Sequence, residues 1–131
     1  MKLGRREFVA ASGSAIAYAL LSSGETVFGG STMYGLIGKM TTAEGKRDEL
    51  IKILLDGTST MRGCMSYVVA KDPGDANAVW ITEVWETKEK HEASLKLPSV
   101  QAAIAKGRPM ITGFGERFIT EPVGGHGLKK V

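Results

Sequence analysis

From Met33 onward the chain alternates between two kinds of hydrophobic spacing. Met33–Met40 is a short apolar run broken by Gly35 and Gly38 and is predicted as a strand. Leu50, Ile53 and Leu54 then recur at helical spacing, with Lys46, Arg47, Asp48, Glu49, Lys52 and Asp56 largely on the other side. Thr41-Thr42-Ala43-Glu44 has the form of a capping box, so this helix is expected to start there, with Gly57 as its terminator. Cys64–Lys71 is rich in strand formers, and Asp72-Pro73-Gly74-Asp75 supplies turn chemistry through a fixed proline φ and a permissive glycine. In Ala78–Glu86, Val79, Ile81, Glu83 and Trp85 share one face while Trp80, Thr82 and Val84 share the other. Large apolar groups on both faces predict a strand covered on both sides. Thr87 can cap a second helical region through Ala93 and Leu95, which Pro98 kinks or restarts before Val100, Ala103 and Ile104. Ile111–Thr120 reads as the last strand, with Pro122 helping to end it.

The predicted order is strand, helix, strand, strand, helix, strand. That is the split βαβ or ferredoxin-like α+β arrangement, a four-stranded antiparallel sheet with helices on one face. Helices cover only one side of such a sheet, so the apolar side chains on the other need a partner, and a second copy of the chain is the simplest supplier. A homodimer through the sheets, of the dimeric α/β-barrel type, is therefore expected. The domain is drawn as residues 33–122. Residues 123–131, with Gly124-Gly125-His126-Gly127, are expected to form a mobile tail or a strap over the partner.

Residues 1–30 read differently. A short basic stretch, Lys2–Arg6, precedes the weakly apolar Phe8–Leu21, which has the form of an export signal. Gly4-Arg5-Arg6-Glu7-Phe8-Val9 resembles the twin-arginine motif, with Arg5 and Arg6 as the pair read by the export machinery. A membrane-spanning helix needs about 20 mostly apolar residues, and Ser12, Gly13, Ser14, Ser22, Ser23 and Gly24 make this stretch too short and too mild. The expectation is a removed signal, a mature start between Gly24 and Met33, and a periplasmic or cell-envelope location.

Composition narrows the function classes. Removing Lys2, Arg5, Arg6, Glu7 and Glu25 takes the formal charge from +3 to +2, and later basic residues form no run longer than Lys129-Lys130. Neither feature supports a phosphate-tracking surface. Cys64 is the only cysteine, so no intramolecular disulfide can form, and it is read as a small core residue. His91 and His126 lie 35 positions apart and neither sits in a cluster with zinc spacing, so no metal site is expected.

Gly63-Cys64-Met65-Ser66-Tyr67, Asp72-Pro73, Glu83-Val84-Trp85-Glu86 and His91, in this order and with these gaps, resemble the antibiotic biosynthesis monooxygenase family. The resemblance covers about Met33 to Pro122. It implies a compact dimer with a pocket between sheet and helices in each subunit, and oxygenation of quinols or polycyclic phenols without flavin, haem or metal. Such chemistry needs a substrate that becomes an electron-rich anion able to reduce dioxygen. The protein then supplies an apolar pocket for a small hydrophobic aromatic, a base, and donors for the oxyanion. His91 is the candidate base, against the plainer reading of an exposed helix histidine. Tyr67 is the candidate donor, against a packing role. Trp80 and Trp85 point to opposite faces, and Trp80 is the one assigned to the pocket. Glu83 is assigned a structural role, as a hydrogen-bond or ion-pair partner of a group such as Arg117.

Two other readings stand beside this one. Relatives that degrade haem use a histidine on the second helix and an asparagine on the first strand, whereas Gln101–Lys106 has no histidine and Met33–Met40 no asparagine. An exported dimer that binds a quinone or another hydrophobic small molecule without turning it over needs the same apolar walls.

Overall fold

A computed structural model describes residues 32–130, so the expectations for Arg5, Arg6 and the rest of residues 1–30 lie outside the described residues. Strand β1 (Tyr34–Thr42) continues past Met40, because Thr42 is drawn into the sheet end. Its N–H donates to the Asn77 carbonyl at 2.7 Å and its hydroxyl donates to the Ala43 and Asn77 carbonyls. The capping box expected at Thr41–Glu44 does not form, because its threonine, Thr41, is paired within the strand and its hydroxyl lies against the last strand, donating to the Gly113 carbonyl at 3.2 Å. The first helix, α1 (Arg47–Gly57), instead starts after Lys46 with no side-chain cap. Arg47 anchors that end to its neighbour. Its Nη1 donates to the carbonyls of Asp72, Asp75 and Ala78 at 2.9–3.4 Å, tying the helix start to the following hairpin turn.

That hairpin joins β2 (Cys64–Lys71) to β3 (Ala78–Trp85). Asp72 closes its turn by accepting from the Gly74 N–H at 2.8 Å. Helix α2 (Lys88–Ser94) starts at Thr87, whose hydroxyl accepts from the Lys90 N–H as the sequence predicts. Pro98 opens a separate helix, α3 (Pro98–Gly107), in the first-turn position where its missing N–H costs nothing. A short 3₁₀ turn (Arg108–Met110) leads into β4 (Ile111–Thr120).

The four strands form one antiparallel sheet in the order β2-β3-β1-β4, the ferredoxin-like arrangement. The registers put Leu36 opposite Glu83, Gly38 opposite Ile81 and Met40 opposite Val79, so these share the face covered by the helices. Leu36, Val79, Ile81 and Trp85 are buried there, with Leu50 of α1 and Val100 and Ala103 of α3 above them. The α1–α3 contact is close because glycines sit in it: a Cβ on Gly57 would come within 2.5 Å of the Ala103 Cβ, and one on Gly107 within 3.0 Å of Leu50.

The opposite face carries Ile37 and Lys39 on β1, Val68 and Ala70 on β2, Trp80, Thr82 and Val84 on β3, and Phe118 on β4. Val68 and Phe118 are 52% and 51% exposed, so within one chain β3 is covered on one side only. The tail does not project freely. Pro122 lies over Gly35 on this open face, and the Lys129 N–H donates to the Met65 carbonyl of β2 at 3.0 Å, so the chain returns from one sheet edge to the other. Among the described residues no helix is long and apolar enough to cross a membrane.

Candidate functional site

The site grows from the end of the sheet where β3 runs into α2. Gly63, at a φ of +85° that favours glycine, precedes β2, and its carbonyl accepts from the Glu86 N–H at 2.8 Å. This holds the start of β2 against the end of β3. The capped first turn of α2 then carries His91 back over the helix-covered face, and the Tyr34–Trp85 pairing places both aromatic side chains on that face.

The His91 ring lies 5.5 Å from the Tyr34 ring at a 39° tilt and 5.3 Å from the Trp85 ring in an edge arrangement, centroid to centroid. Its Nε2 is 3.9 Å from Glu83 Oε1, and the two side chains are only 13% and 17% exposed. Glu83 Oε1 also accepts from Trp85 Nε1 at 2.8 Å. Among the described residues no carboxylate lies within ion-pair distance of Arg117, so the partners of Glu83 are the indole and the imidazole, while Arg117 acts on it through its field. Tyr67 faces Glu83 across the β2–β3 ladder, on the same side of the sheet. His91 and Tyr67 are thus brought onto one face with Tyr34, Glu83 and Trp85.

Trp80 is not brought with them. The alternation along β3 puts it on the open face, where its Nε1 donates to Asp72 Oδ2 at 2.9 Å and Lys39 Nζ stands 5.8 Å from the ring centre. The residue assigned to the pocket by the sequence therefore does not share a face with His91 and Tyr67, and Trp85 is the indole on their side. Cys64 is partly exposed beside the Tyr67–Glu83 pair, with its Sγ donating to the Ser66 carbonyl at 3.4 Å.

Burial sets the proton affinities. It lowers His91 to about 4, assisted by the positive charge of Arg117, so the imidazole is neutral at neutral pH. Burial raises Glu83, against the opposing indole hydrogen bond and Arg117. Burial also raises Tyr34, Tyr67 and Cys64, with the charge of Glu83 adding to the rise at each. The result is a set of neutral groups: an imidazole able to accept a proton, two phenols able to donate hydrogen bonds, and Arg117 as an adjacent cation. Among the described residues no three His, Cys, Asp or Glu side chains cluster as metal ligands.

Tyr34, Trp85 and Arg117 were not singled out as site residues by the sequence. Face parity was the available signal, since Tyr34 alternates in phase with Leu36, and Trp85 with Val79 and Ile81.

The antibiotic biosynthesis monooxygenase family model matches residues 33–106. A Chloroflexus aurantiacus protein that bears the name "putative antibiotic biosynthesis monooxygenase" is 62% identical, with 74% of this chain and 99% of that one covered and a TM-score of 0.73. A Caulobacter crescentus structure with the same name is 16% identical, covering 76% and 95% of the two chains at a TM-score of 0.61. A third, from Nitrosomonas europaea, is 12% identical over 73% and 93% at 0.62. The last two show a shared fold. No curated protein matches the chain. With more than half of its length matched by the family model and a relative of such high identity, the chain belongs to the antibiotic biosynthesis monooxygenase family.

Proposed function

We propose that this protein is a cofactor-independent monooxygenase that oxidises a quinol or a related phenolic or polycyclic aromatic with dioxygen. The observation that carries the reading is the half-buried, neutral imidazole of His91 set between the Tyr34 and Trp85 rings on the helix-covered face. Aromatic walls suit a planar ring, and a neutral imidazole accepts a phenolic proton. The resulting anion gives dioxygen an electron and bonds to it at an open ring carbon. The O–O bond then breaks as that carbon loses its hydrogen as a proton. One oxygen remains as a ring carbonyl and the other leaves as water, so a quinol becomes a hydroxyquinone.

The first step is uphill. A base of pKa about 4 facing a phenol of about 10 leaves a gap of about 8 kcal/mol. Forming the anion narrows it, because a negative charge beside His91 raises the proton affinity of the imidazole. The test is oxygen consumption by the purified domain, free of flavin, haem and metal, against a panel of hydroquinones with autoxidation subtracted. Uptake that places one labelled oxygen atom in the product supports the assignment. Saturable quinone binding without uptake would move it to the non-catalytic binding reading.

The working form is proposed to be a homodimer in which the open sheet faces meet. The exposed Val68 and Phe118 support this, since large apolar groups on an uncovered sheet face gain most from burial against one another. Phe118→Glu is expected to yield a monomer in sedimentation velocity where the unmodified protein sediments as a dimer. An unaltered dimer would place the interface elsewhere. Export through the twin-arginine pathway is proposed from Arg5 and Arg6. Replacing both with lysine is expected to retain the protein inside the cell in a fractionation assay, and continued export would rule the pathway out.

A further inference from the structure

We propose that Arg117 is the counter-ion for an ionised oxygen on the aromatic ligand, and that the bare stretch of β1 at Gly38 is the floor over which the ligand's ring lies. This inference rests on the helix-covered side being the binding site for a phenolic and adds the charge state in which that phenolic is held.

Gly38 stands between Ile81 of β3 and Arg117 of β4 in the sheet register, and all three positions face the helix layer. A Cβ placed on Gly38 would have no heavy atom within 4 Å, in contrast to the close approaches at Gly57 and Gly107. The space between sheet and helices is thus filled where α1 meets α3 and open over Gly38. Arg117 flanks that opening, and among the described residues its guanidinium is in no ion pair. The Gly38–Arg117 pairing puts it on the site's side of the sheet, where its side chain is exposed at the rim of the opening. Lys88, the other cation near His91, is already paired with Glu92 at 2.7 Å. Arg117 is therefore the uncommitted one.

A guanidinium offers a planar fork of donors and holds its charge across the whole working pH range, which suits an oxyanion on a flat ring. An aromatic lying over Gly38 would present one edge to Arg117. The ligand class that fits is a phenolate or enolate with one side of the ring unsubstituted. A neutral hydrocarbon of the same outline would gain only the apolar contact.

The test uses 4-nitrophenol, whose anion is coloured, titrated between about pH 5 and pH 9 with and without the protein. The bound phenol is expected to ionise about one pH unit lower or more, equivalent to anion binding at least about tenfold tighter than the neutral form. Arg117→Met is expected to abolish that preference while nitrobenzene, the neutral ring, binds within about threefold of the unmodified protein, and Arg117→Lys to restore part of it. Gly38→Val, on an extended strand that tolerates a β-branched residue, is expected to weaken both probes about tenfold by filling the floor. Equal affinity for the anion and the neutral form, absence of nitrophenol binding, or an anion preference that survives Arg117→Met would overturn the proposal. None of these readouts involves oxygen. Anion preference without oxygen uptake would therefore uphold Arg117 while removing the oxygenase reading.

Discussion

Trp85→Ala is expected to cost about 3–5 kcal/mol of stability, the range for truncating a large buried aromatic. The side chain is 1% exposed and closes the end of the core on the helix-covered face, against the His91 ring. It also supplies the hydrogen bond to Glu83, so the alanine variant leaves both a cavity and a buried carboxyl without its donor. Trp85→Phe separates the two effects, retaining most of the packing and losing the indole N–H, with an expected cost of about 1–3 kcal/mol. Urea denaturation at neutral pH measures both. A loss below about 1 kcal/mol for the alanine variant would show that the indole does not hold this end of the core together.

The second large effect falls on turnover. His91→Ala is expected to lower the rate of quinol oxidation by about 10²–10⁴, the usual contribution of a positioned general base, with little change in binding of the quinone product. Because burial lowers His91 to about 4, the acid limb of kcat/KM belongs near that value rather than near the ordinary histidine range. A limb between about pH 6 and 7 would mean that another group takes the proton.

The same shift affects stability. The unfolded chain protonates this histidine near its ordinary 6.5, whereas the folded protein resists protonation until about 4. The unfolded state therefore binds more protons across that window. The contribution of a neutral His91 is fully present above 6.5 and is lost as the pH falls toward 4. Its size is about 2 kcal/mol once partial exposure is allowed for. Glu83, raised by burial, works in the opposite direction: its contribution is present at low pH and is lost as the pH rises through its folded value. The difference between the unmodified protein and His91→Gln, measured by urea denaturation from pH 7 to pH 4, isolates the histidine. A difference independent of pH would show that His91 keeps its ordinary proton affinity.

Much of the architecture was legible in the sequence because side-chain alternation and turn chemistry are local. β2 and β4 fall on the expected residues, Thr87 caps α2, and Pro98 divides the second helical region in two. The expected start of α1 is not met because Thr41 and Thr42 are both drawn into β1, where they pair with neighbouring strands instead of opening a helix. The site was legible only in part. Parity shows that Trp80 and Trp85 oppose one another but does not say which of them the helices cover. That depends on the handedness of the crossover between β1 and β2, a property of the whole sheet. Tyr34, His91 and Arg117 lie far apart in the chain and meet because β1 pairs with β3 on one side and β4 on the other. No local pattern records that meeting.

The returning tail gives the open face a direction. Pro122 sits over Gly35 and Lys129 is tied to Met65, so the segment between them blocks one end of the slab, while Lys39, Trp80 and Asp72 mark the other. In the proposed homodimer two such slabs would not slide freely along their strands, because movement one way would drive each into the other's strap. Movement the other way separates Val68 and Phe118 from their counterparts. In the homodimer proposed above, residues 122–130 would then act as a mechanical stop that fixes the relative setting of the two copies.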